Sequence, residues 1–181
     1  SITLDARSAL KASLGGDRLA SRSEIEKLLL YAHGAPRIEL DDVVASTGDA
    51  AGISVDVAID AVLGANLQAL DKAFGQLSAA GQPPFLLLAA AMRQFQALLS
   101  LRNGMEQDGR SAAAAVANAR PPVFFSRRNL IQSALEQRDS AALSRALRRL
   151  SDTVLETRRR PALAAALTRQ ALMSVSLDRR R

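Results

Sequence analysis

The chain has 181 residues, 48% hydrophobic and only 3% aromatic, with a net charge of +6, one histidine and no cysteine. That length suits one ordinary domain or two small ones, and the hydrophobic content excludes a disordered tail. The lack of cysteine excludes a disulfide framework, a thiolate zinc site and a cysteine nucleophile, and fits a reducing compartment. Alanine and leucine dominate while aromatic residues are scarce, so the expected fold class is all-α.

The first residues, "SITLDARSAL", lack the basic region and apolar run of a signal peptide, and without an initiator Met the chain is expected to be processed or a fragment. Thr3 to Ser13 reads as a short helix with Leu4, Ala6, Ala9, Leu10 and Leu14 on one side, stopped by Gly15-Gly16. The next helix starts either at Asp17 as N-cap or at Ser21, where Ser21-x-x-Glu24 matches a capping box. Ile25, Leu28, Leu29 and Ala32 follow the i, i+3, i+4, i+7 rule and form one buried stripe, with Leu19 and Leu30 on a second edge. Glu24 and Lys27 make an i, i+3 surface pair, and His33 suits the negative end of the dipole in the last turn. Gly34 and Pro36 open a loop over 34–38. "LDDVVAST" is a short helix with acids in its first turn, and "GDAAGIS", residues 48–54, is the best domain boundary.

Beyond it, a helix over Val55 to Leu63 is closed by Gly64. Asn66 caps the next, with Leu67, Leu70, Phe74 and Leu77 on one face and Gly81 after its end. Pro83-Pro84 open a long helix with Phe85, Leu88, Met92, Phe95 and Leu99 in phase. Arg93, Gln94 and Gln96 interrupt its apolar run, which makes it a buried core helix rather than a membrane span. A loop over 103–109, a helix-prone "RSAAAAVANA" ended by "RPP", helices over Val123–Gln137 and Ser140–Arg158, and a last helix from Pro161 to about Leu177 complete the chain. Repeated amphipathic helices with short connections make a bundle.

Catalytic constellations are missing from the sequence. There is no Gly-rich phosphate loop with its lysine, and a single histidine excludes a Ser-His-Asp triad and a His-rich metal site. Asp56 and Asp60 read as an exposed i, i+4 face without the ligand count of a metal site. No catalytic, cofactor-binding or metal-ligating residue is therefore assigned, and no cofactor or enzymatic activity is expected.

Charge is unevenly spread. Residues 121–181 carry 13 basic and 5 acidic groups, all the bases arginine, against 6 and 8 in residues 1–52. Arg127, Arg128, Arg145, Arg148 and Arg149 are the candidates for contact with nucleic acid or a neighbouring subunit. If 140–158 is one helix, Arg145, Arg148, Arg149 and Asp152 share a face that could track phosphates. No aromatic interleaves with that stripe, which argues against base stacking there. It reads equally as a solvated face or an interface to an acidic partner.

The order of pieces "GGDRLASRSEIEKLLLYA", "IELDDVVAST" and "VDVAIDAVLGANLQALDKAFGQLSAAGQPPFLLLAAAMRQFQALLSLR" resembles the delta subunit family of the bacterial DNA polymerase III clamp loader. The resemblance rests on the Glu24-Ile25-Glu26-Lys27-Leu28 stretch, Asp41-Asp42-Val43, Asp60-Ala61-Val62-Leu63-Gly64, a helix ending in the L-x-x-x-G spacing of Leu77 and Gly81, and Arg93-Gln94-Phe95 in the proline-led helix. It covers residues 3–103 well and the rest loosely. It implies that residues 1–50 are part of the small helical lid of an AAA+ module, and that residues 53–181 are a helical collar for oligomerisation. It also implies a cytoplasmic, non-catalytic scaffold within a nucleotidyltransferase assembly, with gamma/tau and delta-prime as collar partners. Primer-template DNA becomes a possible ligand and a membrane does not. The family grips the sliding clamp through an N-terminal domain missing from this sequence. The alternative is a free-standing basic helical module that binds nucleic acid through its arginine-rich last third.

Overall fold

The computed structural model describes residues 1–14, 18–46 and 50–178. It divides into two compact units, Ser1–Ile53 and Ser54–Arg181. The fold is all-α: the described residues hold helices and a single isolated parallel bridge, Ile2 to Ile38.

The first unit contains α1 (Leu4–Ser13), α2 (Arg18–Tyr31) and α3 (Leu40–Ser46). Thr3 caps α1 by accepting the Ala6 N–H at 3.2 Å. The Asp42 carboxylate accepts the Glu39 N–H at 2.8 Å at the start of α3, where an acid also suits the helix dipole. The bridge ties the first residues to the segment just before α3: Thr3 N–H donates to the Ile38 carbonyl at 3.0 Å and Ile38 N–H to the Ser1 carbonyl at 2.8 Å. The core is small, with Ala6, Leu28 and Val43 buried and Ala9, Leu10 and Ile38 packed around them.

That small core corrects the expected stripe. Leu28 is buried, but Ile25, Leu29 and Leu30 are exposed, because the long α2 packs on the seven-residue α3, which covers only a small part of it. Leu4 likewise points to solvent while Ala6 faces inward. α2 starts at Arg18, so the Ser21 box lies inside the helix; Gly15, Gly16 and Asp17 lie outside the described residues, as does the side chain of Leu19. His33 falls in the turn after α2, ahead of Gly34, whose φ of +86° requires the freedom of glycine.

The second unit holds α4 (Ala50–Gly64), which begins inside the preceding stretch, then α5 (Leu67–Ala79), α6 (Pro84–Asp108), α7 (Ala112–Ala117), α8 (Arg128–Gln137), α9 (Ser140–Arg159) and α10 (Ala164–Leu177). Of the expected boundary at 48–54, Gly48 and Asp49 lie outside the described residues and Ala50–Ser54 is already helical, since Ala50 and Ala51 favour helix more than Gly52 opposes it. Gly64 is the last residue of α4 rather than its stop. The left-handed position is taken by Ala65 at φ 54°, with Asn66 N–H on the Ala61 carbonyl at 2.9 Å in a Schellman ending.

Side chains cap the helices where the sequence offers them. Asn66, Ser111 and Asp139 accept the N–H groups of Ala69, Ala114 and Ala142 at 3.0, 3.2 and 2.7 Å. α6 is the central element, packed against α7, α8, α9 and α10. Leu88 and Phe95 are fully buried, Leu87, Ala91 and Leu98 complete the face, and Phe85 stays half-exposed. By length and composition alone α6 could cross a membrane. Here its apolar side fills the core, and Arg93, Gln96, Ser100 and Asn103 form its wet side.

Three expected segments differ. The loop over 103–109 is helical through Asp108, because Met105 packs on the core and Arg102 holds Glu106 at 2.8 Å and the Leu135 carbonyl at 3.0 Å; Gly109 then ends the helix at φ 65°. The segment from Val123 begins extended, turns through a 3-10 helix at Phe125–Arg127 and becomes α-helical only at Arg128. Pro161–Leu163 is also a 3-10 turn leading into α10.

Candidate binding surfaces

α9 presents two faces of opposite character. Ala142, Leu143, Ala146 and Leu150 are buried, while Arg145, Arg148, Arg149, Asp152, Thr153 and Glu156 recur at helical spacing along one wall of an open groove of about 510 Å³. The opposite wall is α10, through Leu167, Gln170, Ala171 and Ser174. A neighbouring open pocket of about 660 Å³ shares Arg145, Arg149 and Ser174 and is also lined by Asp139, Leu177 and Asp178.

Of the three arginines in this groove, one is ion-paired. Arg145 donates to Asp178 at 3.1 Å, and the hydrogen bond holds its proton more firmly than usual. Arg149 donates to the Ser174 hydroxyl. Among the described residues Arg148 makes no ion pair. Asp152 and Glu156 lie in the same groove, Glu156 being paired with Arg159 at 3.3 Å and Arg160 at 3.6 Å. A phosphate track needs uncompensated positive charge. A groove of mixed sign with an apolar floor at Leu167 and Ala171 suits a protein surface with complementary charges better. The Thr153 hydroxyl donates to the Arg149 carbonyl at 2.7 Å. No group of acids and histidines among the described residues could hold a metal ion.

Arg127 and Arg128 lie elsewhere. The Arg127 guanidinium donates to Asp60 on α4, at 2.9 Å from its Nε, and to Gln94 on α6 at 3.3 Å. Asp60 is therefore not part of an exposed acidic face. Burial pushes its carboxyl above the usual range, Arg127 opposes that push, and Asp56 one turn away adds to it. Arg128 is exposed, with its guanidinium 5.5 Å from the Phe125 ring centroid and its Nε 3.5 Å from the Val123 carbonyl.

The sequence reading passes over Arg138, the largest fully buried side chain. It sits between α8 and α9 and donates to the Leu63 carbonyl at 3.3 Å and the Ser176 carbonyl at 3.2 Å. Both carbonyls belong to last turns, of α4 and α10, so one guanidinium serves the negative ends of two helix dipoles. Its only sequence signal is its place before Asp139, the N-cap of α9.

No protein-family model matches the sequence, and no curated protein matches it. Among solved structures, the Bacillus subtilis DNA clamp loader delta protein (YqeN) superposes with a TM-score of 0.61 at 19% identity, over 96% of this chain and 51% of that one. The chain thus has a clamp-loader-like fold and spans about half the length of that protein. At this identity the likeness establishes the fold alone.

Proposed function

We propose that the chain is a non-catalytic scaffold from a DNA replication clamp loader of the delta type. Ser1–Ile53 then corresponds to part of the AAA+ lid and Ser54–Arg181 to the collar. The observation that carries this reading is the likeness to the clamp loader delta protein over nearly the whole chain, which agrees with the order of sequence pieces. The collar would assemble with gamma/tau and delta-prime in the cytoplasm. The mixed-sign groove between α9 and α10 is consistent with a protein neighbour and favours assembly over phosphate tracking by Arg145, Arg148 and Arg149.

Mixing the chain with gamma/tau and delta-prime and passing it through a size-exclusion column tests the assembly. Co-elution with those subunits, and none with the sliding clamp alone, is the expected outcome. Failure to co-elute under conditions where a full-length delta assembles overturns it.

A further inference from the structure

We infer that the chain pairs with a second copy of itself, α9 against α9 in antiparallel sense, with Arg148 of each copy meeting Asp152 of the other. The inference stands apart from the clamp-loader reading, because it concerns the chain alone and needs no other subunit.

Arg148 and Asp152 are exposed and stand one turn apart on the groove side of α9. Among the described residues neither makes an ion pair. On a helix, a base placed four residues before an acid is the less favourable of the two orders, which leaves both groups open to an outside partner. The other charges on that wall are engaged: Arg145 with Asp178, Arg149 with the Ser174 hydroxyl, and Glu156 with Arg159 and Arg160. One unpaired cation beside one unpaired anion is a pattern complementary to itself.

A two-fold axis passing over α9 midway between the two residues turns the helix end for end. It sets Arg148 opposite the partner's Asp152 and, by the same operation, Asp152 opposite the partner's Arg148. A parallel pairing in register would face arginine with arginine and aspartate with aspartate, so charge selects the antiparallel form. The two-fold closes on itself, and the assembly stops at a dimer. Apolar area is available beside the charges: Leu155, two turns beyond Arg148, is 51% exposed, and Leu167 lies on the facing wall of the groove. One helix pair covers less than the roughly 800 Å² per partner of a standard interface, so the dimer is weak. The net charge of +6 on each copy opposes association. At physiological salt the Debye length is about 8 Å, which screens that distant repulsion more than the contact pairs.

Sedimentation equilibrium of the 181-residue chain at physiological salt, over a series from micromolar to millimolar protein, tests this. The average mass should rise with concentration from monomer towards dimer and no further. Arg148→Glu and Asp152→Arg each set like charges against each other twice, and each should weaken self-association about tenfold or more. The milder Arg148→Gln should weaken it as well. An equimolar mixture of Arg148→Glu and Asp152→Arg chains should recover the dimer. The new acid of one then meets the new base of the other, and the unchanged Asp152 of one meets the unchanged Arg148 of the other. Thermal melting should show the variants folded as the wild type, since both positions are exposed. The proposal is overturned if the wild type stays monomeric throughout, if its mass passes that of a dimer, if either charge reversal associates like wild type, or if the mixture stays monomeric.

Discussion

Replacing Arg138 by methionine keeps most of its volume and removes its donors. Two buried carbonyls, of Leu63 and Ser176, then lose the N–H groups now 3.3 and 3.2 Å away. An orphaned buried carbonyl costs about 1–3 kcal/mol, so the pair costs about 2–6 kcal/mol. The same change relieves the desolvation of a guanidinium with 0% exposure, a penalty of several kcal/mol in its own right. The carbonyls sit at helix C-termini, where a cation is worth up to ~2 kcal/mol more. Weighing these, Arg138→Met should destabilise by about 3 kcal/mol, which for a chain of this size lowers Tm by about 10 °C. Arg138→Lys keeps the charge but offers one nitrogen in place of two, and should fall between methionine and wild type. Urea unfolding followed by far-UV circular dichroism, with an unchanged m-value, gives the free energies. A methionine variant as stable as wild type would refute the reasoning, because Arg138 would then be filling space rather than serving two helix ends.

Three further outcomes follow from particular residues. Ala65 holds a left-handed φ of 54°, so Ala65→Gly should stabilise by about 0.5–1 kcal/mol in the same unfolding assay. Leu28 is the largest member of the small core of the first unit, and Leu28→Ala costs about 2–5 kcal/mol, enough to open that unit; limited proteolysis should cut within residues 1–46 while the second unit survives. Burial holds the Asp60 carboxyl above its ordinary pKa, so the native state takes up its proton more readily than the unfolded chain, and its contribution to stability grows as pH falls through that interval. The stability of wild type relative to Asp60→Asn should therefore rise between pH 7 and pH 4; an advantage that shrinks on acidification, as for an ordinary exposed ion pair, contradicts this.

Local chemistry made much of the fold legible in the sequence. Asn66 needs only its own neighbours to accept the Ala69 N–H, and Pro84 can open α6 because the first turn needs no proline N–H. The phase of Leu70, Phe74 and Leu77 along α5 determined which face is buried. The dominance of alanine and leucine over β-branched and aromatic residues pointed to the all-α class. The order of these pieces carried a clamp-loader resemblance, and the superposition on the clamp loader delta protein agrees with it at the level of fold.

What depends on residues distant in the chain was decided by tertiary structure. Asn103-Gly104 look like a helix end until Met105 meets the core and Arg102 reaches the Leu135 carbonyl 33 residues on. Ile25 and Leu29 are as apolar as Leu28, but only the packing partner determines which of them is covered. The candidate arginines share one composition and divide by what they meet. Arg145 and Arg149 turn to Asp178 and Ser174, Arg127 to Asp60, and Arg128 to the Phe125 ring. Arg138, identical to them on paper, lies at the centre of the bundle because two helices end there with carbonyls to satisfy. A sequence specifies a charge, whereas burial and partners specify what that charge does.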